Sequence, residues 1–267
     1  MLSYRHGFHA GNPSDVFKHA VLLALVDAMQ RKPNGIRFVD THAGAAQYDL
    51  DADFALKNRE FERGIGAVWS DPPGVLAEYV AAVRRHNPDG RLRRYPGSPQ
   101  LLRDRQRPQD RLVLCELHPT EQHALAGRFG RDDDVQIVTG DGYATLAALP
   151  APKSGRGLTL IDPPFELKSE LDDLGQALEA ALGRFGHGVY AIWYPVIDGK
   201  QTTPGGLPCR LGIEGDAWLD LRIRFRPTER LGRMTGCGMA LVNPPWSARE
   251  RLAEIAALWP DDAGSAA

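Results

Sequence analysis

The chain has 267 residues, 43% of them hydrophobic and 25% charged, with a formal net charge of -2. That is ordinary globular composition for one large α/β domain or two small ones, and it excludes a polycation that binds nucleic acid over its whole surface. Three cysteines far apart, Cys115, Cys209 and Cys237, offer neither a disulfide framework nor a zinc-ligand set, so a reducing, cytoplasmic setting without a metal is expected. The longest purely apolar run, Ala20 to Val26, falls far short of the roughly 20 residues of a membrane span. The polar opening has no signal-peptide core, so neither membrane nor export is expected.

The first element is an apolar helix, Asp15 to Met29, on which His19 reads as a core histidine and Lys18 as solvent-facing. The strand IRFVD (36–40) follows and ends on Asp40. The turn after it, DTHAGAAQY, contains the single glycine Gly44 and no G-x-G-x-x-G cradle, which argues against a pyrophosphate cofactor. S-adenosylmethionine has no phosphate to cradle; it needs a close backbone approach, which Gly44 permits, and an acid for its ribose hydroxyls. The next strand-terminal acid, Glu116, is too distant for an uninterrupted dinucleotide-type fold, so a helical insertion is placed at 47–95. Within it, Asp71-Pro72 has the form of a helix cap opening VLAEYVAAVRRH. After it, Pro96-Gly97-Ser98-Pro99 predicts a helix towards Arg107 with Ser98 as N-cap.

Nine arginines against three aspartates between Arg84 and Arg111 form a local basic patch, and five against one between Arg222 and Arg233 form another. Arg91, Arg93 and Arg94, near His86 and Tyr95, combine charge and stacking rings as RNA loops require. Further strands are expected at LVLCE (112–116), VQIVTGD (135–141), LTLID (158–162) and VYAIWYPV (189–196), with Leu171, Leu174, Leu178 and Leu182 as the stripe of a crossover helix. The segments 218–225 and 238–243 should pair as an antiparallel hairpin at the sheet edge. The pattern predicts an α/β, Rossmann-like class I SAM-dependent methyltransferase sheet with a helical insertion after the first strand. Ligands of such sheets lie beyond the carboxyl ends of the strands, which singles out Asp40, Glu116, Asp141 and Asp162.

Asp162-Pro163-Pro164-Phe165 matches the [DNS]-P-P-[YFW] motif of enzymes that methylate planar amino groups. An adenine N6 lone pair is delocalised into the ring, so the amine must be oriented before it can attack a sulfonium methyl. Asp162 can accept one N–H and the Pro163 carbonyl another, with Phe165 stacked on the extruded base. Two other double-proline sequences compete. Asp71-Pro72-Pro73-Gly74 lacks the aromatic, and Asn243-Pro244-Pro245-Trp246 matches in full but follows the last hairpin strand, so Asp162 is preferred.

The words MLSYRHGFHAGNPSDVFKH, DTHAGA, YPGSP, ELHP, the Asp141-Gly142 pair, LIDPPFE, YAIWYPV and GM..VNPPW, in that order from residue 1 to about 260, resemble the RlmJ family of 23S rRNA (adenine-N6) methyltransferases. The resemblance implies S-adenosylmethionine as cofactor and N6-methyladenine in 23S rRNA as product, at the position numbered 2030. It implies cofactor contacts at His19, His42, Ser98, Glu116, Asp141 and Gly142, a catalytic Asp162 and a substrate-contacting Tyr4. Phe165 stands where that family usually has tyrosine, and Ala46 where a further glycine often sits.

Residues 1–46 and 96–260 are expected to form the methyltransferase domain and 261–267 a disordered tail. The expected partner is 23S rRNA, free or early in assembly, bound by a monomer. A DNA adenine-N6 methyltransferase would share the fold and Asp162, but a specific DNA site calls for a separate recognition module, and none is visible. A non-catalytic RNA-binding relative would have no need for an intact DPPF beside strand-end acids.

Overall fold

The computed structural model describes residues 6–165 and 169–259; Tyr4 and the tail 261–267 lie outside the described residues. The first long helix, α1 (Pro13–Gln30), is capped by Asn12, whose side chain accepts from the Asp15 amide at 2.9 Å, and it starts on a proline that needs no donor there. Every residue of α1 except Asp27 and Gln30 is buried. Such a helix has no polar face and must be surrounded by protein.

Strand β1 (Arg37–Asp40) leads into β2 (Gln47–Asp49), the short helices α2 (Asp53–Asn58), α3 (Glu60–Arg63) and α4 (Ala77–Arg84), and β3 (Arg94–Pro96). The alternating α/β units follow: α5 (Ser98–Arg105), β4 (Arg111–Glu116), α6 (Pro119–Phe129), β5 (Val135–Thr139), α7 (Gly142–Ala148), β6 (Gly157–Ile161), α8 (Glu170–Arg184) and β7 (Val189–Ile197). Helix α9 (Leu207–Leu211), strands β8 (Trp218–Arg224) and β9 (Met234–Val242), and α10 (Arg249–Ala256) complete the chain.

The seven-stranded sheet has the order β5-β4-β1-β6-β7-β9-β8. Its first five strands are parallel and β9 is antiparallel to both neighbours, so the sheet is the mostly parallel α/β type expected for a class I methyltransferase. From β1 the chain crosses to β4 and β5 on one side and returns to β6 and β7 on the other. The switch point therefore lies at β1, between β4 and β6, where a ligand crevice is expected. The hairpin differs from the expected one in extent: its second strand begins at Met234, and it is β9 that joins β7, leaving β8 at the edge.

Three local expectations are corrected. Ser98 is the first helical residue of α5, and Gly97, whose backbone is extended, is the cap position with no side-chain cap. Asp71 caps nothing: a short 3-10 turn, Gly74–Leu76, with Pro73 before it leads into α4. The segment after β1 is also not only helical, since β2 and β3 pair antiparallel, Tyr48 opposite Tyr95, and close its base.

Much of the first arginine patch is scaffold. Arg103 pairs with Asp132 at 3.0 Å, Arg105 with Asp27 at 2.7 Å, and Arg107 with the buried Asp110 at 2.9 Å. Arg107 also donates to the carbonyls of Gln30, Lys32 and Asn34 and so ties the loop before β1 to the loop before β4. In the second patch, Arg222 pairs with Asp220 and Arg226 with Glu229.

Candidate active site

One cleft opens at the carboxyl ends of β1, β4 and β6. Among its walls are His19, His42, Gly44, Ser98, Glu116, Asp141, Gly142, Asp162, Pro163 and Phe165; of the four strand-end acids, Asp40 is not among them, because it is fully buried beneath the cleft turn. Arg91, Arg93 and Arg94 are outside it and exposed, the first two on the loop before β3 and Arg94 at its start.

The turn after β1 is shaped by its neighbours. Gly44 has φ 65°, and a Cβ there would meet the Tyr48 hydroxyl at 2.3 Å, so only glycine fits. Its amide donates to Glu116 Oε2 at 2.7 Å, and the His118 amide donates to Oε1 at 2.7 Å. Two backbone donors thus fix the Glu116 carboxylate at the end of β4, and each oxygen keeps a lone pair for a ligand. Asp141 spends one oxygen capping α7, accepting from the amides of Tyr143 at 2.7 Å and Ala144 at 3.3 Å. At Gly142 a Cβ would lie 2.0 Å from the Thr41 carbonyl, so α7 can begin this close to the β1 turn only with glycine. His42 bonds Thr41 Oγ1 through Nδ1 at 2.8 Å, its ring edge-on to Tyr143. Burial lowers its pKa, which favours the neutral ring. Ala46, where the resemblance led to glycine, adopts φ 67°.

Asp40 is fully buried, with the Ser98 hydroxyl and the His42 amide donating to it and Oδ2 without a partner. Burial pushes its carboxyl up to about 7. A raised folded-state pKa gives stability that is fully present below the ordinary carboxylate range and is lost as pH rises through about 7. Asp40→Asn should therefore stabilise the protein at alkaline pH, by about 1–3 kcal/mol, and give nothing in acid. Thermal melts of both proteins near pH 5 and near pH 8 check this; equal differences at the two pH values would show that Asp40 does not titrate with the fold.

On the other side of the cleft the catalytic candidate is tethered. Lys18, which the apolar pattern of its helix left as solvent-facing, is buried, its ammonium 2.5 Å from Asp162 Oδ2 and 2.8 Å from Asp15 Oδ1. Asp15 Oδ2 accepts from His6 Nε2 at 2.9 Å and from the Gly11 amide at 2.8 Å. Burial would weaken both charges, but Asp15 and Asp162 hold the ammonium well above the usual lysine range. His6 and Lys18 likewise hold Asp15 well below the carboxylate range. Asp162 lines the cleft, and among the described residues no hydrogen bond is formed by its Oδ1. Beside it, Phe165 takes φ 50°, an uncommon conformation for an aromatic residue, and sets its ring edge-on to Trp193 at 6.2 Å. Trp193 donates from its indole N–H to Ser14 Oγ at 2.9 Å and lines the cleft with Pro195 and Ile197.

The rival motif is elsewhere. Register pairs Val242 with Tyr190 at the start of β7, so Asn243 lies at the opposite end of the sheet, donating to the Gly186 and Gly188 carbonyls at 2.9 Å each. Tyr95 cannot serve as an RNA-stacking ring, because it is fully buried; His86 is partly exposed and held by Asp104 at 2.7 Å. Arg93 lies 3.7 Å from Asp51 and 3.6 Å from Asp89, both exposed pairs. Among the described residues no group of three or more His, Cys, Asp or Glu could hold a metal, and no helix is long and apolar enough to cross a membrane.

Residues 33–262 match a family model described as ribosomal RNA large subunit methyltransferase D, RlmJ. The ribosomal RNA large subunit methyltransferase J of Haemophilus influenzae is 39% identical over 96% of this chain and 92% of its own. Its Escherichia coli counterpart is 36% identical over 96% and 91%. Among solved structures, a Legionella pneumophila protein superposes with a TM-score of 0.83 at 31% identity, covering 94% of this chain and 92% of that one.

Proposed function

The chain belongs to the RlmJ family of large-subunit ribosomal RNA methyltransferases, and from that premise we propose that it transfers a methyl group from S-adenosylmethionine to the N6 amine of an adenine in 23S rRNA, the one numbered 2030 by family resemblance. The observation that carries the reading is the carboxylate of Asp162 at the end of β6, which lines the cleft with one oxygen held by buried Lys18.

The cleft suits the cofactor. The turn at Gly44 and the start of α7 at Gly142 let backbone approach closely, Glu116 offers a fixed carboxylate for ribose hydroxyls, and His19 Nε2 is buried without a protein partner. His42, Ser98 and Asp141 complete the set. S-adenosylmethionine supplies an electrophilic methyl group. The protein orients the acceptor: Asp162 Oδ1 accepts one N–H of the amine, the Pro163 carbonyl a second, and Phe165 with Trp193 forms the aromatic wall for the base. With Lys18 fixing Oδ2, the other oxygen is preorganised to draw off the amine proton as the N–C bond forms.

Methyl-tritiated cofactor, purified protein and rRNA from a strain lacking the activity test this directly. Label mapping to one 23S adenine as N6-methyladenine is the expected result. Label in duplex DNA instead of rRNA, or in neither, would overturn it. Glu116→Ala should weaken cofactor binding by about 1.5–3 kcal/mol, the worth of a charge-assisted bond, and unchanged calorimetric affinity would remove Glu116 from the ribose.

The RNA path is assigned to the exposed arginines of the inserted segment. Replacing Arg91, Arg93 and Arg94 together with glutamine should weaken RNA binding and flatten its salt dependence by about 0.7 to 0.9 per lost phosphate contact, with unchanged cofactor affinity. An unaltered slope in a stably folded variant would move the path to the arginines between Arg222 and Arg233.

A further inference from the structure

The cleft is electrically lopsided. Glu116, Glu121 and Asp141 belong to the β4–β5 half of the sheet, and all three line the cleft there. A polyanion is repelled from that half. Across β6 the lining turns apolar, through Trp193, Pro195 and Ile197 on β7 to Leu231 and Met234 at the tip of the β8–β9 hairpin.

That tip is held in a defined turn. The Leu231 amide donates to the Met234 carbonyl at 3.3 Å and the Met234 amide to the Leu231 carbonyl at 3.0 Å, with Gly232, at φ 61°, in the first central position between them. Such pairing sets the two side chains next to each other, and both line the cleft. From the inserted segment, Arg63 on α3 donates to the carbonyls of Thr228 at 3.4 Å and Arg230 at 3.0 Å, which fixes the chain leading into the turn. Arg230 and Arg233, which bracket Leu231, are exposed and form no ion pair among the described residues. Two acids at this end are engaged: Glu229 accepts from the Arg226 amide at 3.0 Å, and Asp198 from the Thr235 hydroxyl at 3.2 Å.

Extruding one adenine into the cleft leaves its neighbours short of a stacking partner, so the cleft mouth must offer phosphates a cation and an unstacked base an apolar surface. We propose that the hairpin tip, residues 230–234, is the lip that holds the nucleotides adjoining the target adenine, with Arg230 and Arg233 on their phosphates and Leu231 and Met234 against an unstacked neighbouring base. The inference deepens the proposed function and rests on its RNA substrate. It gives the RNA a contact at the cleft mouth, whereas Arg91, Arg93 and Arg94 lie outside the cleft.

The full-length protein and a 23S rRNA fragment that it methylates provide the test. Arg230→Gln combined with Arg233→Gln should flatten the salt slope of RNA binding by about 1.4 to 1.8, the worth of two phosphate contacts, with the Kd for S-adenosylhomocysteine unchanged. In the wild-type complex, a photoreactive nucleotide placed beside the target adenine should crosslink to residues 230–234, as located by mass spectrometry. An unaltered slope, or crosslinks confined to other segments, overturns the lip; a merely structural role for the two arginines would lower the melting temperature and leave the slope as it is. If the wild-type protein methylates no rRNA fragment, the RNA reading fails and the lip with it, so the wild-type reaction tells the two failures apart.

Discussion

Asp162→Ala is expected to lower kcat for rRNA methylation by about 100- to 10,000-fold, the range typical for loss of a positioned acid–base group. The cofactor Kd should stay within a few fold, because the carboxylate proposed for the ribose, Glu116, ends β4, whereas the one proposed for the amine follows β6. Single-turnover kinetics at saturating cofactor, with calorimetry for binding, separate the two effects. The fold should survive, since Lys18 keeps its 2.8 Å pair with Asp15 when Asp162 is gone. Asp162→Asn is the sharper variant. It keeps an oxygen that can accept from the amine but loses the negative charge, so its residual activity measures how much of the rate comes from drawing off the proton. Retained turnover in the alanine variant would leave the cleft with no carboxylate at the amine. It would not transfer the chemistry to Asn243, which is at the far end of the sheet with both amide hydrogens engaged.

The strands and the crossover stripe of α8 were legible because each is a local pattern: short β-branched runs ending on a polar residue, and leucines at spacings of three and four. The ordered strand-end acids followed, and with them the position of the cleft. What could not be read was pairing across distance. Tyr48 and Tyr95 meet in a strand pair three residues long, and nothing near either residue announces it. Tyr95 and His86 looked like exposed rings among arginines, yet Tyr95 is buried against His19 and the partly exposed His86 is held by Asp104. Charge counting along the chain also overstated the basic patch, since the acids that neutralise Arg103 and Arg105 come from β5's approach loop and from α1. Trp193 was visible only as one more apolar residue of a strand. A usable signal did exist for Lys18: an Asp15–Lys18 pair at i,i+3 inside a helix otherwise apolar on every side cannot reach water, so its charges must answer to each other or to something in a site.

Lys18 carries the second large expectation. Lys18→Met keeps the length of the side chain and removes its charge, leaving two carboxylates, Asp15 and Asp162, without their shared cation. Breaking a buried pair from one side costs about 3–5 kcal/mol, more than removing both partners would. The sign with pH follows from the shifts. The depressed pKa of Asp15 gives the wild-type protein stability that is present above the ordinary carboxylate range and is lost as pH falls through it. The raised pKa of Lys18 gives stability lost only as pH climbs above the ordinary lysine range. In the variant, Asp15, left with His6 and the Gly11 amide as partners, can shed its buried charge by taking up a proton in acid. The stability difference should therefore be large near pH 7.5 and shrink towards pH 4.5, as read by urea unfolding at about these two values. Methylation should fall with it even where the variant is folded, because Asp162 Oδ2 is no longer held and Oδ1 loses its fixed aim at the amine. A cost that is the same at both pH values would mean that Lys18 matters through the packing of its methylene stem, and that the ion pair with Asp162 does not set the geometry of the site.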